Sequence, residues 1–140
     1  MAYATQNDMT ARFGSGELIE LTDRAGVGVI DAAVLAGALD DASAEIDSYL
    51  AGRYAVPLAQ APRFLAGLCC DIARYRLCGS DTRLTEAINE RYRNAIRFLE
   101  KVASGAVSIG PVTGGAVPAA DNPVIFNSGG KAFARGRGAL

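Results

Sequence analysis

The sequence predicts an all-α fold, a small helical bundle of three longer helices and two short N-terminal helices, followed by an extended C-terminal tail. Three observations predict this fold. Apolar residues recur at spacings of three and four in three separate segments. Glycine or proline stands at the borders of those segments. After Gly105 the helical pattern ends and the composition becomes rich in glycine and proline. A chain of 140 residues favours a single domain with a hydrophobic core.

Two short helices are predicted at the N-terminus. Thr5 is followed three residues later by Asp8, which resembles a capping box with aspartate in place of the usual glutamate. This pattern predicts a helix from about Gln6 to Phe13, and the glycines of 14–16 end it. A second helix of about two turns should end near Thr22.

Three longer helices are predicted over about 32–51, 62–78 and 82–104. Asp31 is a plausible N-cap of the first, Pro62 suits the first turn of the second, and Ser80 or Asp81 should cap the third. Gly105 should end the last helix. The apolar positions expected inside the bundle are Leu39, Ile46, Leu65, Ile72, Ile88, Tyr92 and Leu99.

The C-terminal segment differs from the rest of the chain. We predict a helical domain over 1–105 and a flexible Gly/Pro-rich tail over 106–140, because such a composition cannot build its own core. Only Val124-Ile125-Phe126 has the chemistry of a strand. Either this segment folds back on its own helices, or the tail is mobile in a free subunit and adds to a neighbour on assembly.

Charge and hydropathy exclude several classes of protein. The net charge is −1, so overall charge does not favour binding to nucleic acid or to acidic membranes. No run of about 18 apolar residues predicts a membrane-spanning helix. The N-terminus lacks the basic-then-apolar pattern of a signal peptide, so we expect synthesis in the cytoplasm.

The residues needed for common catalytic and metal sites are missing. The sequence contains no histidine, which is the usual general base and metal ligand. Its three cysteines lack the CxxC spacing of a zinc site, and Gly110, Gly114 and Gly115 lack the lysine of a phosphate-binding loop. The acids from Asp40 to Asp47 lack the spacing of a calcium-binding loop and predict a solvated helix face. We therefore expect no catalytic, cofactor-binding or metal-binding residues and no cofactor.

The segment 47–57 gathers two tyrosines and an arginine where a helix ends and an extended connection begins. Either Arg53 pairs with an acid such as Asp47 while the tyrosine rings close the core, or the segment makes a contact between subunits. The candidate residues for an interface with a subunit or partner are Arg53, Tyr54, Val124, Ile125, Phe126, Lys131, Phe133, Arg135 and Arg137.

Short pieces spread along the chain match a known family in their order. The matching pieces are Tyr3-Ala4-Thr5, Asp8-Met9, Arg12-Phe13-Gly14, Glu17-Leu18, Leu21-Thr22-Asp23, Ala38-Leu39, Ala42, Glu45-Ile46-Asp47, Tyr49-Leu50, Arg53-Tyr54, Val56-Pro57-Leu58, Asp71-Ile72-Ala73-Arg74-Tyr75, Arg91-Tyr92, Ala95-Ile96, Phe98-Leu99, Phe126, Phe133 and Arg135. The match covers 1–105 well and the tail only loosely, and it depends on the order of several short matches rather than on any one of them. On these residues the chain resembles the Mu-like phage neck family.

The resemblance implies a structural protein of the virion, a head–tail connector that completes the head. Such a protein would form a ring, twelve-fold by analogy with the portal, and would contact itself, the portal protein and a tail or tail-completion protein. Its basic tail could contact packaged DNA in passing, and no membrane is involved. Two other classes stay open, a cytosolic helical adaptor or regulatory protein outside the virion, and an enzyme that uses only carboxylates and tyrosines.

Overall fold

The computed structural model describes residues 1–79 and 83–110, and all structural statements refer to them. These residues form five helices and no strand, so the predicted all-α fold is confirmed. None of the five has both the length and the apolar character that crossing a lipid bilayer would require. The helices are α1 (Gln6–Phe13), α2 (Ser15–Thr22), α3 (Ala32–Leu50), α4 (Arg63–Cys78) and α5 (Glu86–Ala103).

Helices α3, α4 and α5 form the bundle, and α4 runs antiparallel to both neighbours. Phe64 at the start of α4 makes an edge-to-face contact with Phe98 near the end of α5, with ring centroids 5.5 Å apart. Near the other end of α4, the rings of Tyr75 and Tyr92 are stacked at 3.9 Å. The short helices α1 and α2 pack against α3 and α4.

Most of the residues predicted inside the bundle are buried there. Leu39, Ile46, Leu65, Ile72 and Leu99 belong to the main core. Ile88 is also buried, but it lies in a second, smaller cluster with Leu21 and Cys78. Tyr92 is only half-buried. Its ring packs against the main core, but its hydroxyl group donates a hydrogen bond to Glu45 at 2.9 Å, so the prediction that the whole side chain lies inside was wrong.

All three cysteines are free and buried in the described body. Cys69 and Cys70 are fully enclosed in the main core on α4, and Cys78 lies in the smaller cluster. Burial raises the pKa of the Cys69 thiol, and it raises the pKa of Cys70 to about 12. They act as small apolar side chains in the structure.

The N-terminal caps are confirmed for α1 and α3 but not for α5. Thr5 and Asp8 form the predicted capping box, and Asp31 accepts hydrogen bonds from two amides of the first turn of α3. Helix α5, however, begins at Glu86, and Thr85 is its cap. The predicted start at residue 82 with Ser80 or Asp81 as cap was therefore wrong, and those two residues lie outside the described ranges.

The body continues beyond the end of α5. Gly105 has a φ of 86°, a left-handed conformation that favours glycine and ends the helix as predicted. The chain then returns to the core, where Ile109 is only 8% exposed. Val107 packs against the same core. Val107 and Ile109 therefore pack on the helical body, although they follow Gly105, the predicted boundary between the helical domain and the tail.

Leu99 offers a direct test of the bundle. Its side chain is fully buried in the main core. We expect Leu99→Ala to lower the free energy of unfolding by about 2–5 kcal/mol, because the substitution leaves a cavity between α4 and α5. Denaturant unfolding followed by circular dichroism measures this loss. Lys101→Ala, at an exposed position of the same helix, is the control, and a loss below about 1 kcal/mol in Leu99→Ala would contradict this packing.

Candidate functional site

Tyr3 fixes the N-terminal segment to the end of α3 and to the connection that follows it. The amide of Tyr3 donates a hydrogen bond to the hydroxyl oxygen of Ser43 at 2.9 Å. Its phenol donates to a carboxylate oxygen of Asp47 and accepts from the amide of Leu58 at 3.2 Å. One side chain therefore joins three segments that are far apart in the sequence.

The environment of Tyr3 holds its phenol in the protonated form. Burial, followed by the hydrogen bond to Asp47, raises the pKa of Tyr3 to about 12. Loss of the proton would place a phenolate beside a carboxylate with little water to screen the repulsion. The contact is therefore a stable donor–acceptor pair at neutral pH.

Arg53 binds the end of α5. Its guanidinium donates to the carbonyl oxygens of Val102 at 2.8 Å and Val107 at 3.3 Å. Carbonyls at a helix C-terminus lack partners within the helix, and the helix dipole favours a positive charge there. The predicted pairing of Arg53 with Asp47 was wrong, because Asp47 accepts from Tyr3.

Gly105 is part of the same arrangement. A Cβ atom at this position would lie 3.5 Å from Cζ of Arg53, in ordinary contact, so space alone does not require glycine. Its positive φ does, since other residues rarely adopt it. The tight turn at Gly105 returns the chain to within reach of Arg53, and the guanidinium then holds it.

Tyr54 holds the segment after α5. It is only 5% exposed, and its phenol oxygen accepts from the amide of Ile109 at 3.3 Å. Its ring thus closes the core, which was one of the two predicted roles. The structure places Arg53 and Tyr54 together, within one subunit, and a contact between subunits through them stays a prediction.

The other candidate interface residues lie outside the described residues. They are Val124, Ile125, Phe126, Lys131, Phe133, Arg135 and Arg137.

Only part of the acidic patch predicted on α3 faces solvent. Asp40 and Asp41 are exposed, whereas Asp47 binds Tyr3. Glu45 accepts from the guanidinium of Arg76 at 2.6 Å and from the phenol of Tyr92 at 2.9 Å. In the described part of the chain, no three cysteine or acidic side chains are grouped as a metal site would require.

Two further charged contacts connect α4 to its neighbours. Arg74 forms an ion pair with Glu17 of α2 at 2.6 Å, and its guanidinium lies over the ring of Phe13. Arg91 of α5 lies 3.7 Å from a carboxylate oxygen of Asp71, too far for a hydrogen bond. Burial raises the pKa of Asp71. The contacts of Arg74 add to the burial of Met9 and Leu18 in holding the short helices α1 and α2 on the bundle.

The loop between α2 and α3 presents apolar side chains on a well-defined backbone, and sequence reasoning missed it. The carboxylate of Asp23 accepts hydrogen bonds from the amides of Val27 at 3.0 Å and Gly28 at 2.6 Å. These bonds lower the pKa of Asp23. The side chains of Val27 and Val29 are 72% and 61% exposed. We call the Val27 and Val29 side chains the valine pair. The signal in the sequence was the alternation of Gly26 and Gly28 with Val27 and Val29.

Helix α3 begins just after the valine pair. The exposed positions in the first two turns of this helix are Ala32, Ala33, Ala36 and Gly37, and none carries a charge. Exposed apolar side chains that lie together can mark a contact with another protein. Among the described residues, the valine pair and these alanines therefore form the best candidate for an interaction surface.

The contact between Tyr3 and Asp47 can be tested by Tyr3→Phe, which removes one hydroxyl. We expect a loss of about 1–3 kcal/mol in the free energy of unfolding, because Asp47 and the Leu58 amide lose their partner. The contribution of the wild-type contact to the free energy of unfolding should also fall as the pH rises from 10 to about 12. In this range the unfolded chain releases the phenolic proton, whereas the folded chain retains it.

Absorbance of tyrosinate during an alkaline titration measures this effect. The native protein should show two tyrosines titrating near 12, since the pKa of Tyr92 is also raised to about 12, by burial and by its hydrogen bond to Glu45. Tyr3→Phe should leave one of them, and Tyr92→Phe is the matched control. If Tyr3→Phe leaves unchanged the fraction of tyrosine that titrates near pH 12, the pKa of the Tyr3 phenol is not raised by its environment.

Comparison with known proteins agrees with the resemblance seen in the sequence. The family model described as Bacteriophage Mu, Gp36 matches residues 3–128. The chain is 38% identical over 133 residues to the Mu-like prophage FluMu protein gp36 of Haemophilus influenzae, covering 95% of this chain and 93% of that protein. It is 41% identical over 111 residues to gene product J of Escherichia phage Mu, covering 79% and 77%. The chain therefore belongs to the Bacteriophage Mu Gp36 family of phage proteins.

Proposed function

We propose that this protein is a structural component of the phage neck, assembling as a ring between the portal and the tail. In this position it would complete the head and provide a platform for tail attachment. The observation that carries the proposal is membership, over residues 3–128, of a family that includes a protein of phage Mu itself. In this role the protein has no turnover chemistry of its own.

The form of the subunit supports an assembly role. A ring component must keep its shape while several partners bind to it, and here Tyr3, Arg53 and Tyr54 hold both ends of the described body to the connection after α3. The last described residues, Ile109 and Gly110, lie at that same end, so the chain that follows would start from there. It would reach the portal, the tail or tail-completion protein, or a neighbouring subunit, and Lys131, Arg135 and Arg137 would contact packaged DNA in passing. By analogy with the portal, the ring would have twelve subunits.

The valine pair is the surface we assign to contacts in the assembled neck. Its backbone is held by Asp23, so binding requires little ordering of the loop. The two side chains are exposed, so the folded subunit itself gains little from them.

Particle incorporation tests this proposal. Epitope-tagged wild-type protein, expressed during phage growth, should sediment with complete particles and be located by electron microscopy between head and tail. A protein that stays entirely in the soluble fraction would instead be a cytosolic adaptor or regulatory protein, and the neck proposal would be wrong.

The double substitution Val27→Asp and Val29→Asp should reduce incorporation at least about tenfold, because two charges would have to be buried in the contact. Its melting temperature should stay close to that of the wild type, since both positions are exposed. Ala44→Asp, at an exposed position on α3, is the control. If the double variant is incorporated normally, the valine pair is not part of the interface, whereas the proposed location in the neck is unaffected.

Removal of the chain after Gly110 tests the role of the tail. We expect this truncation to leave the body folded, because Val107 and Ile109 remain in place, but to lose assembly into rings or particles. Thermal unfolding and sedimentation measure the two effects. Truncation after Gly105 is the comparison, and it should destabilise the body by exposing the Tyr54 region. If the protein truncated after Gly110 assembles normally, the tail has no part in assembly.

A further inference from the structure

An apolar cleft lies between the N-terminal segment and the first half of α3. It has a volume of about 220 Å³ and is lined mainly by small apolar side chains. An apolar cavity of about 150 Å³ can bind benzene in another protein, so this cleft has room for one phenyl ring. The lining residues are Ala2, Ala4, Thr5, Gln6, Ala32, Leu35, Ala36, Leu39 and Asp40.

We propose that the cleft binds the Val124-Ile125-Phe126 segment of this chain's own C-terminal tail, with Phe126 as the main anchor. This inference concerns a binding site within or between copies of the chain and does not depend on a location in the phage neck.

The composition of the two parts is complementary. The floor of the cleft is formed by Leu35 and Leu39, which are buried, and four alanines leave the space above them unfilled. The tail offers three consecutive large apolar residues in a stretch otherwise rich in glycine, alanine and polar residues. Burial of a phenylalanine in such a space is strongly favourable compared with its exposure to water.

Charge supports the same occupant. Asp40 lies at the edge of the cleft, and the neighbouring Asp41 is also exposed. Every charged residue after Asp121 is basic, and Lys131 follows Phe126 by only five positions. With Phe126 in the cleft, Lys131 would be close enough to reach these carboxylates, and the attraction should weaken as salt is added.

The length of the chain permits the contact. The described body ends at Gly110, next to Ile109, whose amide bonds to Tyr54 just past the end of α3, and the cleft reaches Leu39 on that helix. Leu39 lies roughly 17 Å from the end of α3 at Leu50, at about 1.5 Å per residue. Residues 111–123 can span up to roughly 43 Å when extended, at about 3.3 Å per residue. The segment can therefore reach the cleft of its own subunit or that of a neighbouring copy.

The family match covers both the residues around the cleft and this segment of the tail. It begins at residue 3, next to the cleft, and extends to residue 128, just past Phe126. The family unit therefore contains both the cleft and its proposed occupant, whereas Lys131 and the arginines lie beyond the match.

Site-specific photocrosslinking in the full chain tests the proposal. The protein carries p-benzoylphenylalanine in place of Phe126, is irradiated, and its adducts are mapped by mass spectrometry. We expect adducts with residues 2–6 or 32–40, and an adduct of either monomer or dimer mass agrees with the proposal. The same crosslinker in place of Phe133 is the positional control and should give few adducts there. Adducts that map mainly to other parts of the body would overturn it, as would adducts with an unrelated protein or none at all.

Filling the cleft provides a second measurement. Ala36→Phe should reduce the yield of these adducts about tenfold or more, because its ring occupies the space intended for Phe126. Ala44→Phe places the same ring at another exposed position of α3, outside the cleft, and should leave the yield unchanged. Equal yields in the two variants would overturn the proposal even if the mapped positions agreed. The mapping in the unsubstituted body remains decisive if Ala36→Phe fails to fold.

Discussion

The end of α3 is the point on which the arrangement of the whole body depends. Asp47 receives the phenol of Tyr3, and the residues just past the helix, Arg53 and Tyr54, hold the segment that follows α5. These contacts join positions more than 40 residues apart in the sequence. Ordering so much chain costs conformational entropy. Because each hydrogen bond contributes only a modest net free energy, it stabilises the fold best where water competes little for its groups. Tyr54 is buried, and Tyr3, Asp47 and Arg53 are partly buried, so water reaches these contacts only in part.

The fold could be predicted from the sequence largely because its helices have clear local signals. The Thr5 and Asp8 capping box, the N-cap Asp31 and the apolar spacing of α3 and α4 each depend on residues within one or two turns. The start of α5 could not be placed in this way. Several residues before it could act as caps, and the choice of Thr85 accompanies the packing of Leu84 against the smaller cluster. Leu84 continues the four-residue spacing of Ile88 and Tyr92, so periodicity alone places the start of the helix too early.

The contacts at the candidate site were harder to predict for the same reason. Asp47 is close to Arg53 in sequence and has the opposite charge, so it was a natural partner. Arg53 instead binds the carbonyls of Val102 and Val107, at the end of α5 and just after it, where the helix dipole favours a positive charge. Nothing in the local sequence of Tyr3 indicates that it reaches α3. The valine pair was missed because glycine-rich segments are read as loops without regard to which side chains they expose.

The three buried thiols give the protein a natural set of probes for its own opening. A thiol reacts as the thiolate, so a cysteine that is enclosed and has a raised pKa is almost inert while the structure is closed. Cys69 and Cys70 report on the main core, whereas Cys78 reports on the cluster it shares with Leu21 and Ile88. Rates of alkylation at these positions therefore distinguish opening of the α2 end from unfolding of the whole bundle. The native chain can be followed in this way without any added label, even within a larger assembly.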